Sequence, residues 1–86
     1  MNNQQRLETI QHCLTQAFHP IQLEVIDESQ KHIGHAGAKT GLGHFKIRIA
    51  TPAFQNKSEL QIHRMIYTAL GDMMTTDIHA LSIELI

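Results

Sequence analysis

The sequence has little that would support a disulfide framework, a membrane span or strong attraction to polyanions. Its only cysteine is Cys13, so no intrachain disulfide can form, which is typical of a reducing compartment. The longest apolar runs cover a few residues, so no segment is expected to cross a bilayer. Seven lysines and arginines against eight acidic residues give a formal charge of −1, which argues against general attraction to nucleic acid or anionic membranes. The first residues show no basic segment followed by an apolar stretch, so we expect a cytoplasmic protein.

The length predicts one domain over residues 1–86. A domain of this size buries only about 60–65% of the surface of its unfolded chain, which leaves little room for an enclosed active site. The sequence also lacks a nucleophile and base in a supporting context, a phosphate-binding loop and carboxylates paired in a cleft. We therefore expect a binding protein with no small-molecule substrate, and no enzyme.

A first helix is predicted over residues 4–18. Its apolar residues recur with a period of 3.6 and form one stripe. Asn2 or Asn3 can cap its start, and Pro20 ends it. The stripe comprises Leu7, Ile10, Leu14, Ala17 and Phe18.

A second helix is predicted after a capping box at residues 58–61. The Ser58 hydroxyl can accept from the backbone N–H of Gln61, whose side chain reaches back. An apolar stripe then continues from Ile62 to Met73 and fades at residues 75–77.

Three segments alternate between apolar and polar residues, as half-buried strands do. They cover residues 21–25, 45–49 and 81–86. Residues 29–43 show no periodicity and contain four of the five glycines, so they are predicted to form a loop. Loops of this length in a small domain are usually functional or mobile.

The predicted order is helix–strand–strand–helix–strand, and the fold class is α+β. The crossover through the second helix favours parallel pairing of the last two strands. The first two strands can pair antiparallel across the loop. Two helices would then cover one face of a three-stranded mixed sheet.

Several ordered segments together resemble the BolA family over nearly the whole chain. They are LEVIDES at 23–29, Lys31-His32, GHFKI at 43–47, TPAF at 51–54, Lys57-Ser58, HRMIY at 63–67 and IHALS at 78–82. The resemblance implies a fold similar to KH type II and a partnership with monothiol glutaredoxins. Asn56 or Gln55 stands where the family often has a turn glycine, and asparagine tolerates the left-handed backbone such a turn needs.

The resemblance also implies a 2Fe–2S cluster that the chain shares with a glutaredoxin and glutathione. His79 matches the family's C-terminal histidine and is the first candidate ligand. His32 in the loop is the candidate second ligand, with His35 and His44 as alternates. A single cysteine cannot complete a cluster, so none is expected in the isolated protein.

The other histidines have simpler interpretations. By strand alternation, the side chain of His44 faces away from Phe45, and a strand-edge hydrogen bond is its favoured structural role. His12 and His19 are interpreted as surface residues, and His63 as a packing or hydrogen-bonding residue of the second helix.

Some bacterial members of the family are described as DNA-binding regulators of stress response and cell shape, which defines the alternative function. The basic residues available for it are Lys46, Arg48, Lys57 and Arg64. Four such charges on a nearly neutral chain are a weak signal for nucleic-acid binding.

Overall fold

A computed structural model describes residues 2–29 and 43–86. The predicted helix and strand order is confirmed: α1 (Asn3–Phe18), β1 (Gln22–Asp27), β2 (Gly43–Ala50), α2 (Glu59–Leu70), a short α3 (Met73–Thr76) and β3 (Ile78–Leu85). A 3-10 helix, Pro52–Phe54, connects β2 to the segment before α2. Most of the predicted loop over residues 29–43 lies outside the described residues, and Gly43 belongs to β2.

Both predicted helix starts are confirmed by their caps. Asn2 accepts from the backbone N–H of Gln5 at 2.8 Å, and the Gln5 side chain accepts from the Asn2 N–H at 2.9 Å. Ser58 and Gln61 make the same reciprocal pair at the start of α2, at 3.1 and 2.8 Å. These bonds satisfy backbone donors that a helix leaves unpaired in its first turn.

The predicted second helix is wrong at its end. The structure stops α2 at Leu70 because Gly71 adopts φ 58° and ψ −133°, a conformation that disfavours any residue with a Cβ atom. Met73 belongs to the separate α3. Asn56 takes φ 62°, so the left-handed conformation expected at that turn is present.

The three strands form a mixed sheet in the order β1-β2-β3. β1 pairs antiparallel with β2, and β2 pairs parallel with β3, as predicted. β3 begins at Ile78, three residues before the predicted start at Leu81. The added residues of β3 include a change of register with β2, between the pairs Gly43–Ile78 and His44–Ala80.

The core lies between the helices and one face of the sheet. It unites buried residues of α1, α2 and all three strands. Burying such side chains contributes about 1.5–3 kcal/mol each, and this is the main force that packs the helices on the sheet. Ala17, predicted as part of the α1 stripe, is exposed. The core residues are Ile10, Leu14, Val25, Phe45, Ile47, Ile49, Phe54, Ile62, Ile66, Leu70 and Ile78.

Candidate functional site

The first residues of β2 and β3 are joined by a shift in register of one residue. Gly43 pairs with Ile78, and His44 pairs with Ala80, so His79 is an extra residue on β3. A residue inserted in this way has its side chain re-aimed, and such irregularities are frequent next to functional sites. With regular alternation from Ala80, residue 79 would face the core, on the opposite side of the sheet from His44.

The register shift brings the side chains of His79 and His44 together. Their ring centroids are 4.9 Å apart, with an angle of 54° between the planes. His44 is 5% exposed, whereas His79 is exposed to solvent. We call these two residues the histidine pair. One imidazole is enclosed at the sheet and the other is accessible to a partner.

The interpretation of His44 as a strand-edge residue is wrong, because β2 is the central strand. Its backbone N–H donates to Ser29 Oγ at 3.0 Å, and its carbonyl accepts from the Glu28 N–H at 2.8 Å. The chain therefore leaves the sheet after β1 and returns to it beside His44. His32 and His35 belong to the segment between these two points and lie outside the described residues.

The donor set of the histidine pair limits the metal centre it can serve. Imidazole nitrogens bind iron and other transition metals. Within residues 2–29 and 43–86, no three or more His, Cys, Asp or Glu side chains are grouped to hold a metal ion. Cys13 is half-buried and packs against the core from α1. Within these residues the histidine pair therefore has no third His, Cys, Asp or Glu side chain grouped with it.

Asp77 lies two residues before His79, the exposed member of the pair. The Thr76 hydroxyl donates to Asp77 Oδ2 at 2.8 Å, and Arg6 Nε donates to Asp77 Oδ1 at 3.1 Å. The hydrogen bond from Thr76, followed by that from Arg6, lowers the pKa of Asp77 below its ordinary value. The Asp77 carboxylate is therefore ionised at neutral pH and paired with the Arg6 guanidinium.

On the sheet face opposite the core, Arg48 forms ion pairs with carboxylates of both neighbouring strands. Its Nη1 donates to Glu24 on β1 at 2.9 Å, and its Nε donates to Glu84 on β3. The bonds to Glu24 and Glu84 raise the pKa of Arg48, and the bond from Arg48 lowers the pKa of Glu84. Two carboxylates therefore outweigh this guanidinium in charge.

The other candidate DNA contacts are dispersed over the surface. Lys46 shares the strand face of Arg48 and is half-buried. Lys57 borders a shallow depression near the end of β3, and Arg64 borders an apolar groove between α1 and α2. The structure does not gather the four predicted basic residues into one patch.

Strand alternation alone does not predict the contact between His44 and His79, because that contact depends on the register shift. A signal for that shift is present in the sequence. Leu81, Ile83 and Leu85 keep a spacing of two, but Ile78, the next buried apolar residue towards the N-terminus, lies three residues from Leu81. A break in the period of two is what one inserted strand residue produces.

Among the helices of residues 2–29 and 43–86, none is both long and apolar enough to cross a membrane.

The structure is an α+β domain, in which helices cover one face of a three-stranded mixed sheet. The family model described as "BolA-like protein" matches residues 14–86. The chain belongs to the BolA family.

Its relatives include a bacterial and a plant protein. The DNA-binding transcriptional regulator BolA of Escherichia coli K12 is 40% identical over 77 residues, covering 90% of this chain and 70% of that protein. The chloroplastic/mitochondrial SufE-like protein 1 of Arabidopsis thaliana is 42% identical over 79 residues. That match covers 86% of this chain and 21% of the plant protein, so it corresponds to one part of a much longer chain.

Solved structures confirm the predicted fold. The BolA domain of SufE1 from Arabidopsis thaliana has a TM-score of 0.82 at 41% identity, covering 93% of this chain and 88% of that one. The solution structure of BolA1 from Mus musculus has a TM-score of 0.74 at 35% identity, covering 91% of this chain and 61% of the mouse chain.

Proposed function

We propose that this protein is a non-enzymatic partner of a monothiol glutaredoxin and shares a 2Fe–2S cluster with it, in cluster handling or iron homeostasis. The observation that carries the proposal is the histidine pair. It places an accessible imidazole, His79, on a strand end and supports it with a second, buried one. Membership of the BolA family supports a monothiol glutaredoxin as the partner in this proposal.

The donor set fits a shared cluster. His79 is the first ligand, and the second is His44 or one of the loop residues His32 and His35. The remaining positions need thiolates, which glutaredoxin and glutathione would supply. Histidine in place of cysteine raises the reduction potential of a 2Fe–2S centre, so mixed ligation would distinguish this complex from one held by thiolates alone.

The buried His44 can have one of two roles in this proposal. As a ligand, it would donate a nitrogen from the sheet while His79 donates from the strand end. As a packing partner, it would fix the ring orientation of His79, as groups around a metal site commonly do for its ligands. In the first case His44→Ala alters the ligand field as strongly as His79→Ala, and in the second the effect is smaller.

The direct test is reconstitution. The protein is mixed with a monothiol glutaredoxin from the same cell, glutathione, iron and sulfide, and its absorption and native mass are recorded. We expect a coloured complex containing one copy of each protein, with a spectrum that differs from the glutaredoxin-only cluster. The protein treated alone should stay colourless. A stable red-brown species formed without glutaredoxin, or no mixed species at all, would contradict the proposal.

A DNA-binding regulator is the second candidate, favoured by the name of the Escherichia coli relative. The ion pairs of Arg48 with Glu24 and Glu84 weaken this candidate, because they reduce the positive charge of the strand face. A salt titration that separates the two functions is given in the Discussion.

A further inference from the structure

The first two turns of α1 contact two residues that adjoin the histidine pair: Ser29, which is bonded to the backbone of His44, and Asp77, two residues before His79. Asn3 Nδ2 donates to Ser29 Oγ at 3.1 Å, and Arg6 Nε donates to Asp77 Oδ1 at 3.1 Å. Arg6 Nη1 donates to Asn3 Oδ1 at 2.9 Å, so the two contacts are linked to each other. These four residues form what we call the α1 bridge: Asn3, Arg6, Ser29 and Asp77.

The α1 bridge ends on the backbone of the site at two points. Ser29 Oγ also accepts from the backbone N–H of His44 at 3.0 Å. The Asp77 carbonyl accepts from the N–H of Gly43 at 2.9 Å, immediately before the register shift. One connected set of bonds therefore runs from the backbone of His44 through α1 to Asp77, two residues before His79.

The bridge is partly shielded from solvent, so salt screens its ion pair less than it screens one at an open surface. The side chains of Arg6 and Asp77 are 12% and 17% exposed. Asn3 also lies close to the first residue of β2, since a Cβ atom on Gly43 would be 3.1 Å from Asn3 Oδ1. The bridge thus has little freedom to shift without moving β2 or β3.

We infer that Asn3 and Arg6 are positioning residues, which hold the starts of β2 and β3 in the register that brings His79 against His44. They act through Ser29 and Asp77, to which their side chains are hydrogen-bonded. Both precede residues 14–86, the part matched by the family model. The consequence for a cluster rests on the proposed function, whereas the geometry can be tested in the free protein.

The test uses the full chain with uniform isotope labelling, without metal or partner. Arg6→Met removes the donors to Asp77 and Asn3 and keeps the apolar stem, and Asn3→Ala removes the link to Ser29. The readouts are the nuclear Overhauser effect between the rings of His44 and His79, and the exchange rates of the Gly43 and His44 amides. Two controls are matched to them: Ile10→Val loosens the core from the same helix, and Arg64→Met removes an exposed arginine of α2.

We expect the ring-to-ring effect to weaken in Arg6→Met and Asn3→Ala and to stay unchanged in both controls. The Gly43 and His44 amides should exchange about tenfold faster, the scale set by the loss of one intramolecular hydrogen bond. The Ile47 amide in the middle of β2 should change no more than it does in Ile10→Val. Arg6→Lys, which keeps the charge but has only one nitrogen, should restore part of the ring contact.

An unchanged ring contact in both bridge variants would overturn the inference, and so would an equal change in Ile10→Val at a similar loss of Tm. If Arg6→Met does not fold, Asn3→Ala and Ser29→Ala carry the test, since each removes one link at the edge of the bridge. A loss of ring contact supports the inference whether or not the protein forms a cluster with a glutaredoxin. Failure of cluster formation in the parent chain counts against the proposed function alone.

Discussion

The ring of Phe45 occupies the space that a side chain on Gly43 would need. A Cβ atom at Gly43 would lie 2.2 Å from Cε2 and 2.6 Å from Cζ of that ring. Phe45 is 1% exposed and belongs to the core, so it has little room to retreat. The close approach of ring and backbone therefore requires glycine at the first residue of β2.

Gly43→Ala should lower the free energy of unfolding by about 1–3 kcal/mol, the usual cost of overpacking a filled core. It should also disturb the histidine pair, because Gly43 adjoins both the register shift and Asn3. Urea unfolding and the ring-to-ring effect of His44 and His79 are the measurements.

Gly71→Ala is the control for that substitution. Among the described residues, no atom outside the adjoining chain lies within 4 Å of a Cβ at Gly71, but its φ of 58° is strained for alanine. We expect a loss of about 1–3 kcal/mol from backbone strain alone, with the histidine pair unchanged. If both variants leave the pair unchanged, the close packing of Phe45 on Gly43 does not support the site.

The Arg48 ion pairs predict how stability responds to acid. The pKa of Glu84 is lowered in the folded protein, so its contribution is present above the unfolded value of about 4.3. That contribution is lost as the pH falls through the lower, folded value. The difference in Tm between the parent and Glu84→Gln should therefore be largest near neutral pH and shrink below about pH 4.

High salt should also shrink that difference, because these side chains are more than a third exposed and salt screens them. Glu59→Gln, at an exposed position in the first turn of α2, is the comparison outside the Arg48 pairs. A gap between Glu84→Gln and the parent that stays constant from pH 7 to pH 3 would show that the ion pair does not stabilise the fold.

The cap of α2 should be important for stability even though it is exposed. Ser58→Ala removes the acceptor for the Gln61 N–H and should cost about 0.5–2 kcal/mol in chemical unfolding. Ser82→Ala, at an exposed position on β3, is the matched control and should change little. Equal effects of the two substitutions would mean that the capping bonds contribute nothing measurable.

Features set by neighbouring residues could be predicted, and those set by contacts distant in sequence could not. The Ser58 cap, the period of α1 and the alternation in β2 are local, and all three were identified. The end of α2 at Gly71 was missed, although a glycine within an apolar stripe is a local signal. The helical period of α1 predicts Ala17 on the apolar stripe, whereas the structure leaves it exposed.

The candidate site depends on pairing between strands, which the local sequence pattern does not determine. The family resemblance predicts His79, and strand alternation predicts that the side chains of His44 and Phe45 lie on opposite faces of β2. Their contact depends on an extra residue at the start of β3, opposite Gly43. The α1 bridge depends on Arg6 meeting Asp77, which is 71 residues further along the chain. The spacing of apolar residues along the sequence gives no signal for a contact of this kind.

DNA binding should respond to salt in a way that separates the two candidate functions. Counterion release makes the affinity fall steeply with ionic strength, in proportion to the phosphates neutralised. With Arg48 already paired to carboxylates, we expect binding by the free protein to be weak and mostly lost near physiological salt. Submicromolar, sequence-specific binding that survives there and collapses in Lys57→Glu or Arg64→Glu would favour the regulator.

The most direct test of the proposed cluster is visible circular dichroism of the reconstituted complex with glutaredoxin. His79→Ala is compared with His12→Ala and His19→Ala, which replace exposed histidines of α1 and its cap. Because a ligand sets the electronic environment of the metal, we predict a clear change of spectrum for His79→Ala and the parental spectrum for the two controls. Parental spectra for all three variants would mean that His79 does not bind iron.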